Sequence, residues 1–222
     1  PTIKRYTEET TPKNEVLIAP YDAKNIYMVQ LHNQNQKWSA DRAPIIALFN
    51  EYFGGGMNAI VFQELREARG LAYSASAVYA SPYRLGGNES FYTYIITQND
   101  KMMDCITEFN KLLNNVPVRQ SGFDLAKQSL MKSLASQRTT KYSILTSYLA
   151  AQRLGIDYSL SEKIYNALPS LQLQDVINFE KEYIANKPFK YIILGNEKEL
   201  DLKALEKIAP IKRVTTEEIF GY

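Results

Sequence analysis

Apolar and polar positions alternate in short blocks over the first hundred residues and recur at helical spacing over most of the rest. "EVLIAP" (15–20) and "NIYMVQLHN" (25–33) read as strands, rich in β-branched and aromatic residues and bounded by Pro, Asp and Asn. Ile45, Ile46, Phe49, Tyr52 and Phe53 then fall near one helix face and predict a helix over 43–53. Three glycines interrupt it. Met57, Ile60, Val61 and Leu65 resume the helical spacing up to Arg69, and Gly70 supplies the left-handed stop that helix ends favour. "LAYSASAVYA" and "ESFYTYIITQ" read as two strands joined through the turn "SPYRLGGN", a hairpin with a longish loop. The second half is mostly helical, over about 100–115, 121–140, 142–154 and 172–185. "FKYIILGN" is a strand, a short helix spans 199–207, and "IKRVT" closes the chain as an edge strand. Residues 1–14, "PTIKRYTEETTPKN", form a polar, Thr-rich lead-in, and 15–222 read as one α+β domain, with two tightly joined lobes as the alternative. The order β-β-α-α-β-β-α-α-α-α-β-α-β predicts an antiparallel sheet with helices packed on one face.

Composition narrows the partners. At 222 residues, 45% hydrophobic and 23% charged, the chain can bury a proper core without disulfides or metals. A net charge of +2, with no stripe of Lys and Arg, argues against nucleic acid. One cysteine, Cys105, cannot form an internal disulfide and sits in a helical run as a small core residue, which leaves the compartment open. No apolar run approaches the roughly 20 residues of a membrane span. No signal-peptide pattern is present. The chain starts at Pro1 without Met, so it is expected to be part of something longer, and a missing signal then carries no weight.

Several chemistries lack their residues. A zinc site draws three or four ligands from His, Cys and carboxylates, and this chain has one His and one Cys about seventy positions apart. No metal site is therefore expected within it. A Ser–His or Cys–His pair would have to use His32, whose neighbours are amides at a strand end; an exposed or hydrogen-bonded role fits it better. "FGGGM" lacks the Lys-Ser/Thr of a phosphate loop and does not follow a strand. The pairs Glu64/Glu67 and Glu217/Glu218 read as solvated helix faces.

Gly54, Gly55 and Gly56 are the costly feature. Each glycine in a helix interior costs about 1 kcal/mol relative to Ala, so two helices must meet at a corner here. Two readings stay open: a helix–helix joint, or bare backbone where another chain passes closely. Beyond the corner, Arg66 lies in the last turn of the second helix, where a cation suits the helix dipole. Tyr73 opens the next strand. Across the helix stop the two can project to the same end of the domain, and a guanidinium fork with a phenol can hold a peptide carbonyl or a developing oxyanion. On spacing alone this signal is weak, since the chain has 16 tyrosines.

The stretch "YFGGGMNAIVFQELREARGLAYSASA" resembles the C-terminal-half signature of the pitrilysin/insulinase/mitochondrial processing peptidase family of zinc metallopeptidases. There a Gly-Gly-Gly-Met turn leads into a Phe-Gln-Glu-Leu-Arg-Glu helix, then Arg-Gly-Leu-Ala-Tyr into a strand. The match is specific over about 25 residues, and elsewhere only the order of elements agrees. The resemblance implies an α+β metallohydrolase-like domain of the C-terminal, non-zinc-binding kind. Two halves of such domains clamp around a chamber, and zinc lies on the partner half, in His-x-x-Glu-His. This chain would supply Arg66 and Tyr73 to substrate near that metal, and Gly54, Gly55, Gly56, Met57 and Asn58 would line the chamber or touch substrate. The implied substrate is an unstructured peptide, taken up at a sheet edge as an extra strand. One departure stands out: many members read Ser-Arg-Leu where this chain has Ala59-Ile60-Val61, implying a more apolar chamber wall at Ile60. Two alternatives remain: an inactive structural or assembly subunit descended from the same family, and a stand-alone peptide-binding module.

Overall fold

Alternation of buried with less buried positions marks five strands, β1 (Glu15–Pro20), β2 (Asn25–His32), β3 (Ser74–Ala80), β4 (Ser90–Gln98) and β5 (Lys190–Gly195), and a short sixth without it is β6 (Ile211–Arg213). In the computed structural model, which describes residues 8–221, they form one sheet ordered β3-β4-β2-β5-β1-β6. The four strands β3-β4-β2-β5 are antiparallel as expected, with Val29 opposite Tyr94 and Val78 opposite Tyr92. β1 instead runs parallel to both of its neighbours, β5 and β6. Parallel neighbours need a crossover connection, and α7 (Leu202–Glu206) lies between β5 and β6 in sequence. Apolar alternation looks the same in both pairings, so the expectation of an antiparallel sheet holds for four strands and not for β1.

Helices cover one sheet face, as expected, although α4 (Lys141–Leu154), α5 (Leu160–Ala167) and α8 (Thr216–Phe220) bury no side chain. α1 (Ala43–Phe49), α2 (Met102–Asn114) and α6 (Leu173–Tyr183) share one core with the inward residues Ile18, Met28, Phe91, Ile95 and Ile193, and α3 (Gln120–Ala135) packs outside them, its Phe123 ring 6.3 Å from that of Tyr52. In α2 the buried positions Met102, Cys105, Ile106, Phe109, Leu112 and Leu113 follow the three-to-four spacing of an amphipathic helix. Phe49 stacks on Phe53 at 5.2 Å and meets Phe179 at 5.3 Å, tying α1 to α6. On the opposite face Tyr92, Tyr94, Ile192 and Leu194 are exposed. α4 appears where expected and ends on Gly155 at φ +72°. α5 and α8 were not predicted: eight and five residues are too few for helical spacing to show, although Ser159 and Thr215 cap them.

Of the expected lead-in, residues 1–7 lie outside the described residues. Residues 8–14 are docked: Thr11 is buried and pairs with Asn33, and Asn14 accepts from the Phe189 amide at 2.8 Å.

Two acidic side chains are buried in opposite circumstances. Glu89 is fully partnered: it accepts from Arg42 at 3.0 Å on each carboxylate oxygen, from the Tyr79 hydroxyl at 3.2 Å and from the Ser39 amide at 3.3 Å. Glu180, in α6, is 1% exposed and its Oε1 has no hydrogen-bond partner. Desolvation pushes its carboxyl up to about 7, opposed only by Lys181. A raised carboxyl binds its proton more tightly in the folded state. Its contribution is therefore complete below the unfolded pKa near 4.5 and is lost as pH rises through about 7. Measured against Glu180→Gln by urea unfolding, the wild-type chain should lose on the order of 2–3 kcal/mol between pH 4 and pH 8. Parallel pH profiles for the two proteins would show that Glu180 is ionised without penalty.

Candidate functional site

The helix that begins at α1 does not stay α-helical to residue 53. From Asn50 to Gly54 it widens into a π turn, and a second π turn spans Phe62–Glu67 beyond the glycines. π turns inside helices are rare and concentrate at functional sites. The first is fixed by two contacts with the sheet edge. Asn50 donates Nδ2 to the Tyr79 carbonyl at 3.0 Å and accepts from the Tyr79 amide at 2.8 Å, imitating a paired strand. Gly54 lies so close to β3 that a Cβ there would sit 1.9 Å from the Ala77 oxygen.

These contacts resolve the glycine tract into two parts. Gly54 is buried, and the chain that passes closely is the protein's own β3. Gly55, Gly56, Met57 and Asn58 are exposed, Met57 at 73%. A Cβ at Gly56 would meet nothing within 4 Å. The same contacts occupy the backbone of Tyr79 and crowd that of Ala77, so an added strand would not pair with β3 over those two residues. Ile60 is also placed differently from expectation. It is buried, with Ala59 and Val61, and belongs to the core instead of a chamber wall; an apolar residue at that helix position turns inward.

Arg66 lies in the second π turn. Its guanidinium is 4.8 Å above the Phe62 ring and 3.7 Å from Glu67, and its side chain stays 45% exposed. Nearby cations are more engaged: Arg119 pairs with Glu64, and Arg69 lies 3.9 Å from Glu64 and 3.4 Å from Glu108. Gly70 closes the helix at φ +58°, as expected, with its amide on the Arg66 carbonyl at 3.0 Å and the Leu71 amide on the Leu65 carbonyl at 2.9 Å. The Thr97 hydroxyl then donates to the Leu71 carbonyl at 2.5 Å. The Tyr73 amide donates to the Ile96 carbonyl at 2.8 Å, which starts the β3–β4 ladder. Tyr73 itself is 75% exposed. Arg66 and Tyr73 thus stand at the two ends of one hydrogen-bonded turn, both open to solvent.

The groups absent from this surface limit its chemistry. Among the described residues no three His, Cys, Asp or Glu side chains gather as a metal site. His32 is buried and its Nδ1 lies 2.8 Å from the Pro188 carbonyl, in line with the hydrogen-bonded role. Cys105 is buried in α2 and desolvation pushes its thiol up to about 12, too high to act as a nucleophile. A depression of about 280 Å³ between Glu8, Thr11, Asn33, Asn88 and Lys190 includes none of the residues from 54 to 73. The exposed turn can offer a cation and a phenolic donor to a carbonyl oxygen. Sequence reasoning missed Asn50, whose one signal was an amide set among Phe49, Tyr52 and Phe53.

Residues 1–130 match the family model described as peptidase M16 inactive domain. Among solved structures, the chain is similar to the peptidase M16 inactive domain from Pseudomonas fluorescens, with TM-score 0.70 and 18% identity over 88% of this chain and 46% of that one. It is also similar to a protease from Helicobacter pylori, with TM-score 0.65 and 15% identity over 86% and 47%. A conserved protein from Enterococcus faecalis V583 gives TM-score 0.67 and 15% identity over 88% and 45%. The chain therefore spans about half the length of each of these structures. A search of curated proteins by sequence returned no match. Among the described residues, no helix is long and apolar enough to cross a membrane.

Proposed function

The chain belongs to the peptidase M16 inactive-domain family, and on that premise we propose that it is the substrate-holding domain of a zinc peptidase whose metal lies on a companion half. In this reading His-x-x-Glu-His on the companion would hold the zinc, and its Glu would serve as the base toward water. Arg66 and Tyr73 reach across to the same peptide: the guanidinium holds substrate backbone, and the phenol donates to the carbonyl or tetrahedral oxyanion. Gly55, Gly56, Met57 and Asn58 form the adjoining surface, and Gly54 anchors it to β3. Substrate is an unstructured peptide. Zinc would supply the Lewis acidity, and this chain would supply position and charge.

The observation that carries the reading is the pairing of an exposed Arg66 with an exposed Tyr73 at the ends of one rigid turn. The backbone hydrogen bonds of the turn hold the two Cα positions, so binding a ligand orders only the side chains. The test joins this chain to the neighbouring half that carries His-x-x-Glu-His and measures cleavage of quenched-fluorescent peptides with zinc. Cleavage is expected only in the joined form, and Arg66→Ala and Tyr73→Phe should each lower kcat/KM at least tenfold, about 1.4 kcal/mol of transition-state stabilisation. Wild-type rates in both variants, or no cleavage in any pairing, would instead favour the inactive structural subunit.

A further inference from the structure

Helix α4 is built inside out. None of its side chains is buried, and its least exposed positions include Ser143 and Thr146. Tyr142, Ile144, Leu145, Tyr148 and Leu149, which share one face at helical spacing, are 42–77% exposed. A surface helix ordinarily turns its apolar stripe toward its own core.

The β3–β4 loop meets the C-terminal end of the same helix. The Leu85 amide donates to the Arg153 carbonyl at 2.7 Å, the Arg153 guanidinium lies 4.5 Å over the Tyr83 ring, and the Leu85 side chain packs on Gly155. Tyr83 and Leu85 are themselves exposed. Seven large apolar side chains left this exposed are more than the scattered single apolar residues of an ordinary surface.

Charge identifies the kind of surface that fits. Lys141 and Arg153 lie on the stripe's own helix, Lys132 on the preceding helix, Arg138 in the segment that joins the two and Arg84 in the loop, and none is in an ion pair with a carboxylate among the described residues. Two copies packed face to face would bring these like charges together, which disfavours self-association. Each of the three solved chains with this fold has roughly as much chain again beyond the matched part. We infer that the α4 face, with Tyr83 and Leu85, is where the companion half docks, through an apolar surface rimmed with carboxylates. This rests on the reading that a companion half exists.

The test measures binding between the intact chain and the His-x-x-Glu-His half by calorimetry and hydrogen exchange, in wild type and in Leu145→Glu/Tyr148→Glu. Both substitutions are exposed and helix-compatible, so the melting temperature should be unchanged. Binding should protect amides of 141–149 and 83–85, weaken with salt, and fall at least tenfold in the double variant. Equal affinity in the variant, or binding without protection of α4, overturns the inference. So does self-association of the chain alone, or binding to phosphatidylserine vesicles, that the same substitutions abolish. No binding by the companion overturns it too. Tight α4-dependent binding with no cleavage would sink the active-site reading alone. Cleavage that survives in the variant at undiminished affinity would sink this one alone.

Discussion

Gly54→Ala is expected to lower the unfolding free energy by about 3 kcal/mol or more, while Gly56→Ala stays within about 0.5 kcal/mol of wild type or stabilises slightly. The two glycines are adjacent but one in sequence and chemically identical. A Cβ at Gly54 would lie 1.9 Å from the Ala77 oxygen and 2.8 Å from its amide nitrogen, so either β3 or the π turn must move. Both obstacles are backbone, which cannot rotate aside as a side chain can. Movement there would also pull Asn50 away from the Tyr79 backbone, leaving two polar groups of Tyr79 short of partners. Urea midpoints of the two variants decide the matter. A Gly54→Ala midpoint close to wild type would mean that the turn is free to shift away from the strand.

Glu89→Ala should be comparably damaging, at about 3–5 kcal/mol, the usual cost of removing one member of a buried ion pair. Glu89 is 1% exposed, and its loss strands the buried Tyr79 hydroxyl and the partly buried Arg42 guanidinium. The same Arg42 also donates to the Lys37 carbonyl, so the segment leading into α1 depends on the pair. Replacing both partners, as Arg42→Met with Glu89→Leu, should recover part of the loss, because no uncompensated charge is left inside while the Tyr79 hydroxyl still lacks its acceptor. Equal losses in the single and double variants would show that packing of the carboxylate stem, and not charge pairing, is what matters.

The reading of residues 54–73 as a functional surface had a definite local signature. The corner at the glycines, the stop at Gly70 and the strand entry at Tyr73 each follow from the conformation a particular residue permits, and those conformations are encoded locally. The π character of 50–54 and 62–67 had no such signal. One extra residue in a turn does not disturb an apolar pattern over so short a run. It is imposed by contact, through Asn50 on Tyr79 and Gly54 on Ala77. The roles weighed for the glycines separated for the same reason, because only the position of β3 distinguishes a buried Gly54 from an exposed Gly56.

By itself, then, the sequence determined the strands, the long helices and the α+β class, and it supplied Arg66 and Tyr73 as candidates. All of these depend on residue type and spacing within one element. Only the tertiary structure decided that β1 runs parallel to β5 and β6, that the β3 backbone is occupied at Tyr79, that Ile60 is core, and that α4 turns its apolar side outward. Each of those depends on which distant segment lies alongside, and an apolar residue reads the same whichever neighbour finally covers it.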